Sequence, residues 1–414
     1  LINLDQCVQI TNTDPMTDVA RSDRRETGTT GASSGVKVEP LVAPRGLKGV
    51  VVTDTEIGDV RGLEGFFHYR EYPAPELARH QSLEEVWFLL VNGRLPNATE
   101  IDGFRDSIAL HRHASPETAA VISSAAVASP RPMDLLRTAL SCQAGDGSWL
   151  DTTRDERLRT ANALAAVLPT LAATAWCAID GRDAPSPDSG RPIVTDYLRM
   201  VTGREPAQQH VAALERYMLL TIDHGLNAST FTCRGVTSTG ASFGSAAVAA
   251  LGALSGPLHG GAPSLVRDML REIETPERAR AWIRDTIGRG DKLMGFGHAV
   301  YRTEDPRSAL LKETGLDLGG PLAELAAAVE PIALEEMERH RPGADLRTNV
   351  EFYAAVVLDA VGLPPEMFTP TFAVSRMIGW MAHALEQADD NKIIRPSSRY
   401  VGPPPPSEFP VSAL

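Results

Sequence analysis

Three stretches put chemistry-bearing side chains on turns and helix starts. In GPLHGGAPSLV, residues 256–266, His259 stands among glycines just ahead of Pro263, which suits the first turn of a helix. The positive helix end disfavours imidazolium, so His259 is expected to be neutral. A neutral imidazole there can donate one aimed hydrogen bond to a carbonyl oxygen that is becoming an enolate oxygen. A tight turn with an incidental histidine fits the same spacing. In KLMGFGHAVYRTEDPRS, residues 292–308, His298 follows alternating glycines and precedes Arg302 and Arg307. Such a loop suits an anionic ligand, because arginine matches carboxylate or phosphate with paired hydrogen bonds. A surface loop with solvated charges is the competing account. In NVEFYAAVVLDAVGLP, Asn349 is expected to cap a helix whose second residue is Glu351. The helix start favours an ionised carboxylate, the state a base needs, although a first-turn acid that merely complements the dipole reads the same way.

Arg376 lies in TFAVSRMIGWMAHALEQ, where Phe372, Val374, Met377, Ile378, Trp380, Met381 and Leu385 leave a helix apolar almost all round. A guanidinium in that setting must be paired or must meet an anionic ligand. His224 in DHGLNASTF and Arg395 in NKIIRPSSRY carry weaker signals.

The elements that must position these residues read as helices. Ser82 and Glu85 form a capping box ahead of Leu83, Val86, Trp87 and Leu90 on one face, and Asn92-Gly93 stops the run. Thr275 and Pro276 open a second helix, with Ala279, Trp282, Ile283 and Thr286 on one side and Gly288 at its end. After Asn349, Phe352, Val356 and Ala360 share a face before Gly362 and Pro364. Strand-like sequence is confined to Gly49–Val60. The fold class is all-α. Residues 1–36 are polar and read as a disordered leader, and GPPPPSEFPVSAL reads as an extended C-terminal arm. Met16 offers a natural start, leaving residues 1–15 as upstream sequence.

The chain has 414 residues, 43% of them hydrophobic and 22% charged, enough for a sizeable core. A net charge of −13 argues against a nucleic-acid or anionic-membrane partner. Gly235–Val266 lacks charge, but its apolar run AAVAALGAL is far short of the ~20 residues a bilayer needs. The four cysteines show no metal spacing and read as reduced thiols in a cytoplasmic protein, and no secretory pattern opens the chain.

Together and in this order, GLKGVVVTDTEIGDV, DHGLNASTF, GPLHGGAPSLV, MGFGHAVYRTEDPRS, NVEFYAAVVLDAVGLP, MFTPTFAVSRMIGWMAHALEQ and NKIIRPSSRYVG resemble the citrate synthase family over about residues 46–402. The resemblance implies a large helical domain (residues 37–258, with a return and C-terminal arm over 366–414) and a smaller mobile helical domain (residues 259–365). It implies a homodimer with sites completed across the interface, and condensation of acetyl-CoA with oxaloacetate. It needs no cofactor and no metal, the CoA thioester being a substrate. By position, His259 matches the histidine on the thioester carbonyl, and His298 the one that polarises the ketone. Glu351 falls where the family has an aspartate base. His224, Arg307, Arg376 and Arg395 match carboxylate ligands, Arg395 reaching the neighbouring subunit's site. Arg302 matches a CoA-phosphate contact, and Lys292, Met294, Gly295 and Gly297 the segment against the adenine.

Glu351 departs from the pattern by one methylene. The helix is set back to compensate, or the enzyme is slow, or it takes another acyl group. Citrate synthase of the tricarboxylic acid cycle is the expected activity. A 2-methylcitrate synthase using propionyl-CoA is the alternative, and a silent acyl-CoA or dicarboxylate binder is the reading from another class.

Overall fold

The computed structural model describes residues 41–405 apart from positions 146, 258, 299, 302 and 391. The expected leader, the segment before Met16, the Cys7 thiol, Arg302 and the last residues of the proline-rich tail lie outside the described residues. The described cysteines are free thiols, Cys142 exposed and Cys177 and Cys233 buried.

Two compact units are present. The described part of the first, residues 41–51 and 399–405, holds one short 3-10 turn, Arg45–Leu47. The second, Val52–Ser398, carries every other element. It opens with a small antiparallel sheet in sequence order, β1 (Gly58–Arg61), β2 (Phe66–Tyr69) and β3 (Tyr72–Pro73), with Asp59 opposite His68 and Val60 opposite Phe67. The expected strand over Gly49–Val60 forms only at its end, in β1, and the expectation of helix alone after it is corrected by β2 and β3. Val51 and Val52 are exposed and unpaired, whereas β2 alternates, burying Phe67 and Tyr69 on one face.

Helices follow without another strand among the described residues: α1 (Ala74–His80), α2 (Leu83–Asn92), α3 (Ala98–Ala109), α4 (Pro116–Ala128), α5 (Pro132–Gln143), α6 (Arg154–Ile179), α7 (Ile193–Thr202) and α8 (Gln208–Thr221). Then come α9 (Ala228–Thr237), α10 (Phe243–Leu254), α11 (Ala262–Ile273), α12 (Pro276–Gly288), α13 (Pro306–Leu318), α14 (Pro321–His340), α15 (Val350–Ala360) and α16 (Phe368–Asp390). The all-α class holds. The Ser82–Glu85 capping box forms, and Gly93, at φ 80°, closes α2. Pro276 opens α12, although Thr275 makes no side-chain cap to the backbone.

α6 is long and apolar enough to cross a membrane by length and composition, a candidate not picked out in the sequence. Most of it is buried inside the fold, where it packs on α16, α5 and α7, and its Asn162 accepts a hydrogen bond from Trp87. It is a core helix. α16 is the other axis of the core. It is buried on nearly every side and packs on α6, α9 and α10, so whatever it carries is fixed by contacts all round.

Candidate active site

His224, His259, Gly297, His298, Arg307, Glu351 and Arg376, all singled out in the sequence, line one cleft of about 720 Å³. Four helix starts, one loop and the interior of α16 bring them together. His259 lies just before α11, which opens with Pro263 in its first turn. The His259 imidazole is held below its ordinary pKa, at about 4, by burial first and by the Arg376 charge second. The expected neutrality therefore stands, with desolvation rather than the helix end as its main cause. Neither Gly260 nor Gly261 takes a left-handed backbone. Gly260 is needed for close approach, because a Cβ there would sit 2.4 Å from the Leu254 carbonyl oxygen.

Ser229 and Trp380 hold the His259 ring. His259 Nε2 lies 2.8 Å from Ser229 Oγ, and Trp380 Nε1 donates to the same Oγ at 3.2 Å. Ser229 has one proton, with Asn227 Oδ1 or His259 Nε2 to receive it. Asn227 Oδ1 already accepts the main-chain N–H of Ser229 and of Thr230. Asn227 Oδ1 lies 2.8 Å from the same hydroxyl and can take its proton, with His259 Nε2–H then donating to Oγ; a hydroxyl that donates to Nε2 instead places the His259 proton on Nδ1.

His298 is held by its own loop. The main-chain N–H groups of Val300 and Tyr301 both point at Nδ1 at 3.0 Å and Arg307 Nη2 stands 3.2 Å from Nε2, so each ring nitrogen faces a donor. The loop is tied to the start of α15 by Gly297 N to Arg347 O at 2.8 Å, Asn349 N to Gly295 O at 2.9 Å and Asn349 Nδ2 to Gly297 O at 2.8 Å. Gly295 has φ 83°, and a Cβ there would meet the Phe352 ring at 2.8 Å. The glycines thus let the loop lie flat on the helix that carries Glu351.

Asn349 caps α15 and Glu351 is its second residue, as expected. Burial pushes the Glu351 carboxyl up to about 7, with the Arg307 charge opposing. The expectation that the helix end keeps it ionised is corrected, since desolvation wins over the dipole. Among the described residues the carboxylate accepts no hydrogen bond and closes no ion pair.

Arg307 is 3% exposed and donates from Nε and Nη2 to the two Asp305 oxygens at 3.0 and 2.8 Å. Burial opposes its charge, and Asp305 outweighs burial, so its pKa rises. Arg376, 2% exposed, donates from Nε to the Thr221 carbonyl at 2.7 Å and lies over the Phe372 ring at 4.7 Å. It closes no ion pair among the described residues, and burial lowers its pKa. His224 is driven well below its ordinary pKa by burial, then by Arg307 and Arg376, and its Nε2 lies 3.1 Å from Tyr301 Oη. A neutral imidazole, two buried cations, two further imidazoles and an unpaired carboxylate thus face one space. That set can take a proton from carbon while holding an anion.

Lys292 is exposed and Met294 half-buried, and neither they nor Gly295 line the cleft. Arg395 is exposed and also lies off it. Arg302 lies outside the described residues. Among the described residues no cluster of His, Cys, Asp or Glu stands close enough to hold a metal ion.

A family model described as citrate synthase, C-terminal domain, matches residues 46–397. This chain belongs to the citrate synthase family. It is 36% identical to the citrate synthase of Haloferax volcanii over 86% of this chain and 95% of that one. It is 34% identical to 2-methylcitrate synthase 2 of Corynebacterium glutamicum, over 86% and 94%. Among solved structures it resembles the citrate synthase of Thermoplasma acidophilum in ternary complex with carboxymethyl coenzyme A and oxaloacetate. There the TM-score is 0.80 and the identity 26%, over 88% of this chain and 97% of that one.

Within this citrate synthase family member, sequence reasoning missed the residues that hold the site. Asp305 was readable: Asp-Pro before a helix is a cap followed by a first-position proline, and Asp305 does cap α13. Ser229 and Trp380 left no signal, because their role depends on α9 and α16 packing side by side. Thr55, Asp59 and Val60 also line the cleft, placed there by β1 and the segment before it.

Proposed function

We propose that this family member condenses acetyl-CoA with oxaloacetate and hydrolyses the resulting thioester to citrate and CoA. The observation that carries the reading is the unpaired Glu351 carboxylate in the same cleft as the neutral imidazole of His259. A thioester methyl group is a poor acid, so proton removal needs a held carboxylate and a donor on the nascent enol oxygen together. Glu351 takes the proton and His259 holds the oxygen. The enol carbon then attacks the ketone of oxaloacetate, whose oxygen is polarised by His298. Arg307, Arg376 and His224 hold the two carboxylates, and without those cations the dianion would repel the base in a dry cleft. A carboxyl poised at about 7 suits a base working near neutral pH.

The protein works as a homodimer in the cytoplasm. Residues 259–365 form the part that closes over the rest, Lys292, Met294, Gly295, Gly297 and Arg302 lie along the CoA, and the exposed Arg395 enters the partner's cleft.

A 2-methylcitrate synthase is the second reading, favoured by Glu351 in place of the family's aspartate and by the Corynebacterium glutamicum relative. Free-thiol release on mixing the protein with oxaloacetate and each thioester decides. The expected result is a higher kcat/KM with acetyl-CoA. A higher value with propionyl-CoA gives the second reading, and no thiol with either leaves a binding protein.

A further inference from the structure

We propose that His383 is a positioning residue for the dicarboxylate half of the cleft: it fixes Asp223, and through Asp223 the turn carrying His224 and the surroundings of Arg376. The inference rests on His224 and Arg376 being oxaloacetate ligands.

His383 lies seven residues after Arg376 on α16, two turns along the same face. Its Nε2 is 3.2 Å from Asp223 Oδ1, and its Nδ1 is 3.2 Å from Arg234 Nη1. Arginine only donates, so Nδ1 accepts and the proton sits on Nε2, directed at Asp223. Asp223, His383 and Arg234 are each 1% exposed. The other Asp223 oxygen accepts the Gly225 N–H at 3.0 Å, closing the turn that presents His224, with Gly225 at φ 59°. Tyr69 Oη donates to the main-chain oxygens of Leu219 and Asp223 at 2.9 and 3.1 Å, pinning the same turn from the sheet side. The α16 backbone presses against it as well: a Cβ on Gly379 would lie 2.2 Å from the Ile222 carbonyl oxygen and 3.3 Å from Asp223 Oδ1. The Asp223 charge in turn favours the charged form of Arg376.

On the far side Arg234 is anchored by Gln387 Oε1 at 3.0 Å, Thr53 Oγ1 at 3.1 Å and the Glu386 carboxylate. His383 itself does not line the cleft. It is the one side chain that joins this anchored arginine to the Asp223 carboxylate among the described residues. Removing it leaves a buried carboxylate and a buried guanidinium each short of a partner, and takes one support from the turn that carries His224.

Glutamine can keep both bonds, its amide N–H donating to Asp223 and its oxygen accepting from Arg234, whereas leucine keeps neither. His383→Leu is expected to raise the KM for oxaloacetate about tenfold or more and leave that for acetyl-CoA within about twofold, with His383→Gln within about threefold of the parent on both. The same ranking is expected in oxaloacetate binding by calorimetry, which needs no turnover. An unchanged oxaloacetate KM and Kd in a folded His383→Leu, or an equal loss in His383→Gln, overturns the proposal. Should the leucine variant not fold, 15N spectra of the histidine-labelled parent decide: protonated Nε2 with bare Nδ1 at His383 supports it, and the opposite tautomer or an imidazolium overturns it. A parent that neither releases thiol nor binds oxaloacetate ends the functional reading instead, and leaves the tautomer measurement in force.

Discussion

Asp305 and Glu351 are both acids at the start of a helix and both near Arg307, yet their surroundings are opposite. Asp305 accepts from the Arg307 main-chain N–H, from Arg307 Nε and Nη2, and from the Val350 N–H, with 1% of its surface exposed. Every lone pair is used, and the carboxylate works as a bolt joining α13 to α15. Glu351, the residue after Val350, has no such partner among the described residues, and burial pushes its carboxyl up to about 7. A saturated carboxylate holds structure, whereas a half-buried, unsaturated one is poised to exchange a proton.

The contrast breaks most sharply at Glu351. Glu351→Gln should cost turnover about 10²–10⁴-fold while oxaloacetate still binds, as steady-state rates and calorimetry would reveal. Asp305→Asn should instead act on the fold, leaving Arg307 buried without its counter-charge and lowering stability by about 3–5 kcal/mol in urea denaturation. Glu351→Asp withdraws the carboxylate from a site built around the longer side chain and should lower kcat by up to about 100-fold. A rise in kcat would mean that the helix is not set back to suit glutamate.

The smallest effect concerns stability. The folded-state pKa of Glu351 lies above its ordinary value of 4.5, so its contribution to stability is present below about pH 4.5 and is lost as pH rises through about 7. At pH 8 an ionised Glu351 therefore burdens the fold. Glu351→Gln should be more stable than the parent at pH 8, on the order of 1 kcal/mol, with the gain shrinking at pH 5. A gain independent of pH would detach it from ionisation.

The parts of this site that depend on local sequence were legible in the chain. Caps at Ser82 and Asn349, Pro263 and Pro276 in first turns, and the apolar wrap of α16 each follow from rules spanning a few residues. The resemblance added which of these starts face one another. The sheet was missed because FFHY alternates over only four residues, too few to separate from a helix start. The supporting partners were missed for a different reason. Ser229 with Trp380 and Asp223 with His383 lie more than 150 residues apart, and their pairing exists only once α9 and α16 pack. The Glu351 shift was misjudged because a helix end is visible in sequence and burial is not.

Deuterium exchange into the acetyl methyl group isolates proton removal from condensation. The protein is held in D2O with acetyl-CoA and malate, a 2-hydroxy dicarboxylate that fills the cation-lined half of the cleft but offers no ketone to attack. The account predicts methyl deuteration by the parent, reduced about 10²–10⁴-fold in Glu351→Gln. Equal deuteration by both proteins would contradict it.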